Sequence, residues 1–278
     1  MEDNIPYWST KYKMKTTEFF ATHSVFSLDE AVEALDPPGG LKGTVERLKY
    51  HLEKGQLKLI TRGIYAVVPP GVQQQQFQPD PFLTAIAIRP DAIFSHHSAL
   101  ELLGAAHSVW KKITLYTERR RKPLRLDSFS ILFLNHPRMN KSNLPDSLGT
   151  QKVERRARLL RTTGPERTLV EGFRRPALAG GLEELVESAI GFPTLSLSFF
   201  EQVLLRYDIA ILWAATGWFL ERYRKTFEVN EEYLEKIERR CPRSPQYIER
   251  KLRGGWLASR WNLILPNTLK NPAEYDEN

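Results

Sequence analysis

The sequence predicts an α+β protein: an N-terminal winged helix-turn-helix followed by a larger mixed α/β C-terminal domain. Three observations carry that expectation. Residues 16–68 order as three short helical segments and then two β-rich runs around a glycine. Residues 69–81 combine prolines, a glycine and a glutamine run, a stretch that neither packs a core nor continues a helix. Beyond it, strand-like and helical segments alternate to the end of the chain. The expected division is 1–71 for the winged domain, 72–81 for a linker and 82–278 for the larger domain.

Each element has its own warrant. Thr16 or Thr17 caps a first helix running to about His23. Ser27 followed by Glu30 is a capping box, so a second helix spans residues 28–35, and Pro37, Pro38, Gly39 and Gly40 end it. A third helix covers residues 41–54, with Leu41, Val45, Leu48 and Leu52 as its core stripe and Gly55 as its C-terminal stop. Residues 56–60 and 64–68 form a hairpin through Thr61, Arg62 and Gly63, with the glycine where a positive φ is needed. In the larger part, residues 92–95, 113–117 and 129–135 read as strands. Ser95 caps a helix that Gly104 ends, and Pro165 opens another after Gly164. Residues 182–190, 199–207, 209–225 and 231–240 are helical by period, and 261–265 close the chain as a strand.

Composition narrows the class. The chain has 278 residues, 41% hydrophobic and 26% charged, values of a folded globular protein large enough for a core without staples. Its one cysteine, Cys241, excludes an internal disulfide and a Cys-rich zinc site and points to a reducing, cytoplasmic compartment. The first residues lack the apolar stretch of a secretory signal. Residues 209–220 form a nearly apolar run well short of the ~20 residues a membrane span needs, so a buried helix is expected and no membrane partner.

Charge then indicates a partner. The formal net charge of +7 favours a polyanion. Residues 1–71 are neutral, with nine basic and nine acidic side chains, yet residues 42–62 hold six basic against two acidic. In a winged helix the third helix enters the major groove. With the core stripe fixed as above, Lys42, Thr44, Arg47 and Tyr50 fall on or beside the outward side. Arg47 then matches guanine O6 and N7, and Thr44 a thymine methyl or a phosphate. Lys49, His51, Lys58, Thr61 and Arg62 are assigned to the DNA backbone, with Arg62 also suited to a narrow minor groove. Further phosphate contacts are expected from Lys111, Lys112, Arg119, Arg120, Arg121 and Lys122, and Arg155, Arg156, Arg158 and Arg161 form a later basic group. The bland alternative is a solvated charged surface on a module that docks a protein.

The segment GTVERLKYHLEKGQLKLITRGIYAVVP, residues 43–69, resembles the N-terminal domain of AbiEi-type antitoxins, transcriptional regulators of abortive-infection, type IV toxin–antitoxin systems. The matches are Gly55 and Leu57 after the recognition helix, then Arg62, Gly63, Ile64, Tyr65 and Ala66. DPFLTAIAIRPDAIFSHHSALELLGA (80–105) and TGPERTLVEGFRRPALAGGLEELVESA (163–189) extend the match over roughly residues 15–260. The glutamine-rich linker, residues 1–14 and the segment after Trp261 have no counterpart. The resemblance implies repression of the protein's own operon at inverted repeats of double-stranded operator DNA. It also implies a neighbouring nucleotidyltransferase-like toxin, opposed without a stable complex.

For chemistry the larger domain offers little. His96 and His97 are adjacent, and neighbouring side chains on a helix diverge by about 100°, which suits one metal poorly. Nucleophile, zinc-protease and phosphate-loop motifs are missing from the sequence. No catalytic residue, metal or cofactor is therefore expected. The competing reading is a nucleic-acid-processing enzyme targeted by a winged helix, with Asp127, Asp146 and Glu154 as its carboxylates.

Overall fold

A computed structural model describes residues 14–36, 38–118, 122–137, 148–249 and 253–270. The chain divides into two compact units, residues 1–90 and 91–278.

In the first unit, α1 (Thr16–Thr22), β1 (Val25–Ser27), α2 (Leu28–Leu35) and α3 (Gly40–Glu53) precede the hairpin of β2 (Leu57–Thr61) and β3 (Ile64–Val67), and α4 (Pro81–Ile88) follows. The strands form one antiparallel sheet in the order β1-β3-β2. Phe19, Phe26, Ala31, Leu35, Leu48 and Leu57 make the core. The capping box is present: the Glu30 amide donates to Ser27 Oγ at 3.1 Å and the Ser27 amide to Glu30 Oε2 at 2.8 Å. Gly63, at φ 76°, turns the hairpin in a conformation that side chains resist. Thr16 and Thr17 do not cap α1, whose cap is Lys15 without a side-chain bond. Thr16 instead accepts from Arg47.

The expected linker is part of this unit. Gln74 Nε2 donates to the carbonyls of Leu52 at 3.3 Å and Leu57 at 2.5 Å, and Lys58 Nζ donates to that of Phe77 at 2.7 Å. Pro81, placed in the linker from sequence, and residues 82–88, placed in the second domain, form α4, which packs on β1 and β3. The boundary therefore falls after Pro90, not at residues 72–81: the Gln74 side-chain amide and Lys58 tie the Gln-rich stretch back onto α3 and β2.

The second unit is built on a six-stranded mixed sheet, introduced in chain order as β4 (Ile93–Phe94), α5 (His97–Leu102), β5 (Lys112–Thr117), β6 (Leu124–Arg125), β7 (Ser130–Asn135), β8 (Thr150–Arg155) and β9 (Arg158–Thr163). The strand order is β6-β7-β5-β4-β9-β8, with β5–β7 and β4–β9 parallel and the other neighbours antiparallel. The helices α6 (Pro165–Arg174), α7 (Leu182–Ile190), α8 (Leu197–Tyr207), α9 (Ala210–Arg222) and α10 (Glu231–Glu238) follow. A small sheet of β10 (Gln246–Tyr247), β11 (Trp256–Ala258) and β12 (Leu263–Leu265) completes the unit. Helix α9 is buried from Leu212 to Leu220, which accounts for its apolar run. Among the described residues no helix is long and apolar enough to cross a membrane. The whole is a mixed α/β assembly, consistent with the α+β class.

Two local readings change, and the later arginine group gains a place. Ser95 does not cap α5; the cap position is His96, at φ 52° and ψ −130°. Ser95 is occupied elsewhere, its hydroxyl on His96 Nδ1 at 3.0 Å and its carbonyl on Thr114 Oγ1 at 2.6 Å. The later arginine group lies on the β8–β9 hairpin, where Arg156 and Ala157 both take positive φ at the turn. Residues 261–265 are a short 3-10 turn ending at Trp261 and then β12, rather than one strand.

Candidate nucleic-acid interface

Helix α3 keeps Leu48 and Leu52 of the expected stripe on its inward side but not Leu41 and Val45. Thr44 and Leu48 are fully buried, whereas Leu41 is 57% and Val45 38% exposed. The inward side is Thr44, Leu48 and, half-buried, Arg47, His51 and Leu52. The reason is local. Thr44 Oγ1 donates to the Gly40 carbonyl at 3.1 Å, which satisfies a buried hydroxyl within the helix. Arg47 Nη1 donates to Thr16 Oγ1 at 3.3 Å. His51 sets its edge on the Phe20 ring at 4.9 Å and shares a 2.5 Å contact between Nδ1 and Gln56 Oε1.

The expected contacts sort accordingly. Lys42, Lys49, Tyr50 and Arg62 are exposed. Thr44 is buried, and Arg47 and His51 are half-buried, engaged with Thr16 and with Phe20 and Gln56. Lys58 is half-buried on the carbonyls of Gln75 and Phe77, so it serves the fold of the Gln-rich segment. Thr61 is half-buried at the end of β2. In the second unit Lys111, Lys112 and Lys122 are exposed, with Lys112 Nζ 5.5 Å from the centre of the Trp110 ring, while Arg119, Arg120 and Arg121 lie outside the described residues. Sequence reasoning missed Leu41 and Val45 as surface residues, and Lys54, whose ammonium lies 5.7 Å from the Tyr50 ring centre.

The outward face of α3 thus carries Lys42, Lys49 and Lys54 with Tyr50, Val45 and Leu41, interrupted by exposed Glu46 and Glu53. Arg62 stands at the hairpin tip. One end of the face is acidic: Asp29, Glu33 and Asp36 border a groove of about 490 Å³ beside Val32 and Leu41. Anionic backbone is repelled there, which directs any phosphate contact toward the Lys49–Lys54 end and the hairpin.

The second unit holds a buried polar cluster with no sequence motif. Arg167 and Glu171, one turn apart on α6 and both 1% exposed, pair at 2.7 Å. Glu171 also accepts from Tyr116 at 2.8 Å and Tyr207 at 2.5 Å, and Arg167 donates to the Leu148 carbonyl at 2.7 Å. Although burial opposes ionisation, the Arg167 guanidinium holds the Glu171 carboxyl below its ordinary range. Burial, opposed by Glu171 and helped by Arg175, Arg174 and Arg167, pushes His96 down to about 4. His97 bonds Glu184 at 3.2 Å and stacks on Trp110 at 4.6 Å. The two histidines therefore serve different partners. Among the described residues no three His, Cys, Asp or Glu side chains converge to hold a metal. Of the carboxylates named for a nuclease, Asp146 lies outside the described residues and Glu154 sits on β8.

The comparisons add the fold. No family model matches the chain, and no curated protein matches it significantly. The solved structure of the Rv2827c protein from Mycobacterium tuberculosis is similar, with a TM-score of 0.62 at 17% identity over 95% of this chain and 92% of that one. At that identity the likeness concerns the fold alone.

Proposed function

We propose that the chain is a DNA-binding transcriptional autorepressor and antitoxin of a type IV toxin–antitoxin system, acting in the cytoplasm on inverted repeats upstream of its operon. The observation that carries the DNA reading is the outward face of α3. Its lysines, Tyr50, Val45 and Leu41 are not used by the core, and α3 is followed directly by a β-hairpin tipped by Arg62. The order α1-β1-α2-α3-β2-β3 with sheet order β1-β3-β2 supports the winged helix-turn-helix reading. In that reading α3 enters the major groove, where Val45 meets thymine methyls, while Lys49, Lys54 and Arg62 neutralise phosphates. The antitoxin role rests on the AbiEi resemblance of residues 43–69, 80–105 and 163–189.

The deciding experiment is fluorescence anisotropy with a duplex from upstream of the gene and a scrambled duplex, across a salt series. Preferential, salt-dependent binding of the upstream duplex is expected. Equal, weak binding of both would reject the repressor. An enzyme acting on nucleic acid would be favoured instead by metal-dependent cleavage of either duplex.

A further inference from the structure

We propose that the second unit binds a nucleotide-sized phosphorylated ligand in an open cleft formed by the end of α6, the start of α9 and β10. The cleft encloses about 1230 Å³. Ligand pockets run roughly 300–1,000 Å³, so such a molecule fits together with part of its water.

The charge comes from three arginines among the lining residues, Arg174, Arg175 and Arg253. All three are exposed, and among the described residues no carboxylate pairs with any of them. Arg174 is held with its guanidinium carbon 5.3 Å from the centre of the Tyr207 ring, and the Tyr207 hydroxyl is in turn fixed on Glu171. The Arg175 amide donates to the carbonyls of Glu171 and Gly172, so the backbone of this exposed lining residue is fixed. Three planar forks offer more N–H donors than one carboxylate accepts. A terminal phosphate, with about two charges and three acceptor oxygens, matches them.

The rest of the cleft calls for an uncharged body. Phe173, Ile211, Leu212 and Ala215 line it with apolar surface. Tyr247 on β10, 45% exposed, presents a ring on which a planar base can stack. Glu249 also lines the cleft and suits the hydroxyl or amino donors of a nucleoside. This inference is independent of DNA binding, since every lining residue belongs to the second unit.

The test is calorimetric titration of the full chain with ADP, adenosine and inorganic phosphate. Saturable ADP binding is expected, with adenosine and phosphate each weaker by roughly tenfold or more, because each lacks half of the matched chemistry. Arg175→Ala and Arg253→Ala should each weaken ADP by about tenfold with unchanged thermal unfolding, as neither side chain is part of the core. No saturable binding at millimolar ADP would overturn the proposal. So would equal affinity for phosphate and ADP, or unchanged ADP affinity in both variants.

Discussion

Arg167 and Glu171 are sealed from water on the same side of α6, so each charge depends on the other. Arg167→Met would leave the Glu171 carboxylate buried with only tyrosine hydroxyls, and a loss of about 3–5 kcal/mol is expected, read by urea unfolding of the full chain. A milder loss, under about 1 kcal/mol, would show that Glu171 takes up a proton instead. His96 adds a pH dependence of definite sign. Its folded value is lowered to about 4 from 6.5, so the unfolded chain binds the proton more tightly. Its contribution is constant above 6.5 and is lost as pH falls from there toward 4, by about 3 kcal/mol in all. His97 is also lowered by burial, so the measurement is the difference between wild type and His96→Asn across that window. The variant should flatten the slope, and asparagine tolerates the positive φ better than most side chains. Glu171 acts below this window: its lowered pKa means stability present above the unfolded value and lost as pH falls through the folded one.

Among the elements, α3 carries the tests of the proposed DNA reading. Lys49→Ala and Arg62→Ala are each expected to lower the salt slope of binding by about one and to weaken all sequences alike, as phosphate contacts do. Arg47→Ala should instead cost about 1 kcal/mol of stability through its bond to Thr16 and leave sequence preference intact. Loss of preference in that variant would return Arg47 to the interface. Helix α9 gives a separate test. Gly217→Ala would ordinarily gain about 1 kcal/mol in a helix. Here the added Cβ would stand 2.2 Å from the Trp261 ring, whose Nε1 is held by Glu221 at 2.6 Å. A net loss of about 1–3 kcal/mol is expected from denaturant midpoints.

For the whole chain, the division after Pro90 makes a fragment of residues 1–90 the independent unit. It is expected to unfold cooperatively and to bind DNA. A fragment ending at residue 76 removes α4, with Phe82 and Leu83 buried to 0% and 2% exposure, and also Phe77, the acceptor of Lys58. It should be less stable by at least about 3 kcal/mol, two large apolar side chains being worth about 1.5–3 kcal/mol each. Equal melting of the two fragments would place α4 outside the unit. Full-length protein is expected to bind DNA with a steeper salt slope than 1–90 if Lys111, Lys112 and Lys122 reach phosphate.

The sequence by itself determined the local elements of the first unit. The Ser27–Glu30 box, the stop at Gly55, the turn at Gly63 and the bounds of α2 follow from interactions within a few residues, so they survive without tertiary context. The buried character of α9 was legible for the same reason, as apolar side chains all round a helix have nowhere else to go. Which side of α3 faces inward was not. By spacing, Leu41 and Val45 continue the stripe of Leu48 and Leu52 as well as Thr44 does, and the choice went to the side whose hydroxyl and guanidinium found partners in Gly40 and Thr16. The β8–β9 hairpin turns through Arg156 and Ala157, residues that carry no turn signal. The Gln-rich segment read as a linker by composition, yet its amide and carbonyl groups bond to α3 and β2. Glu171 of the buried cluster meets Tyr116 and Tyr207 from 55 and 36 positions away, and the arginine-lined cleft draws on residues from Phe173 to Arg253. Such groups meet only when the sheet and helices are assembled, because their partners are set by packing rather than by spacing along the chain.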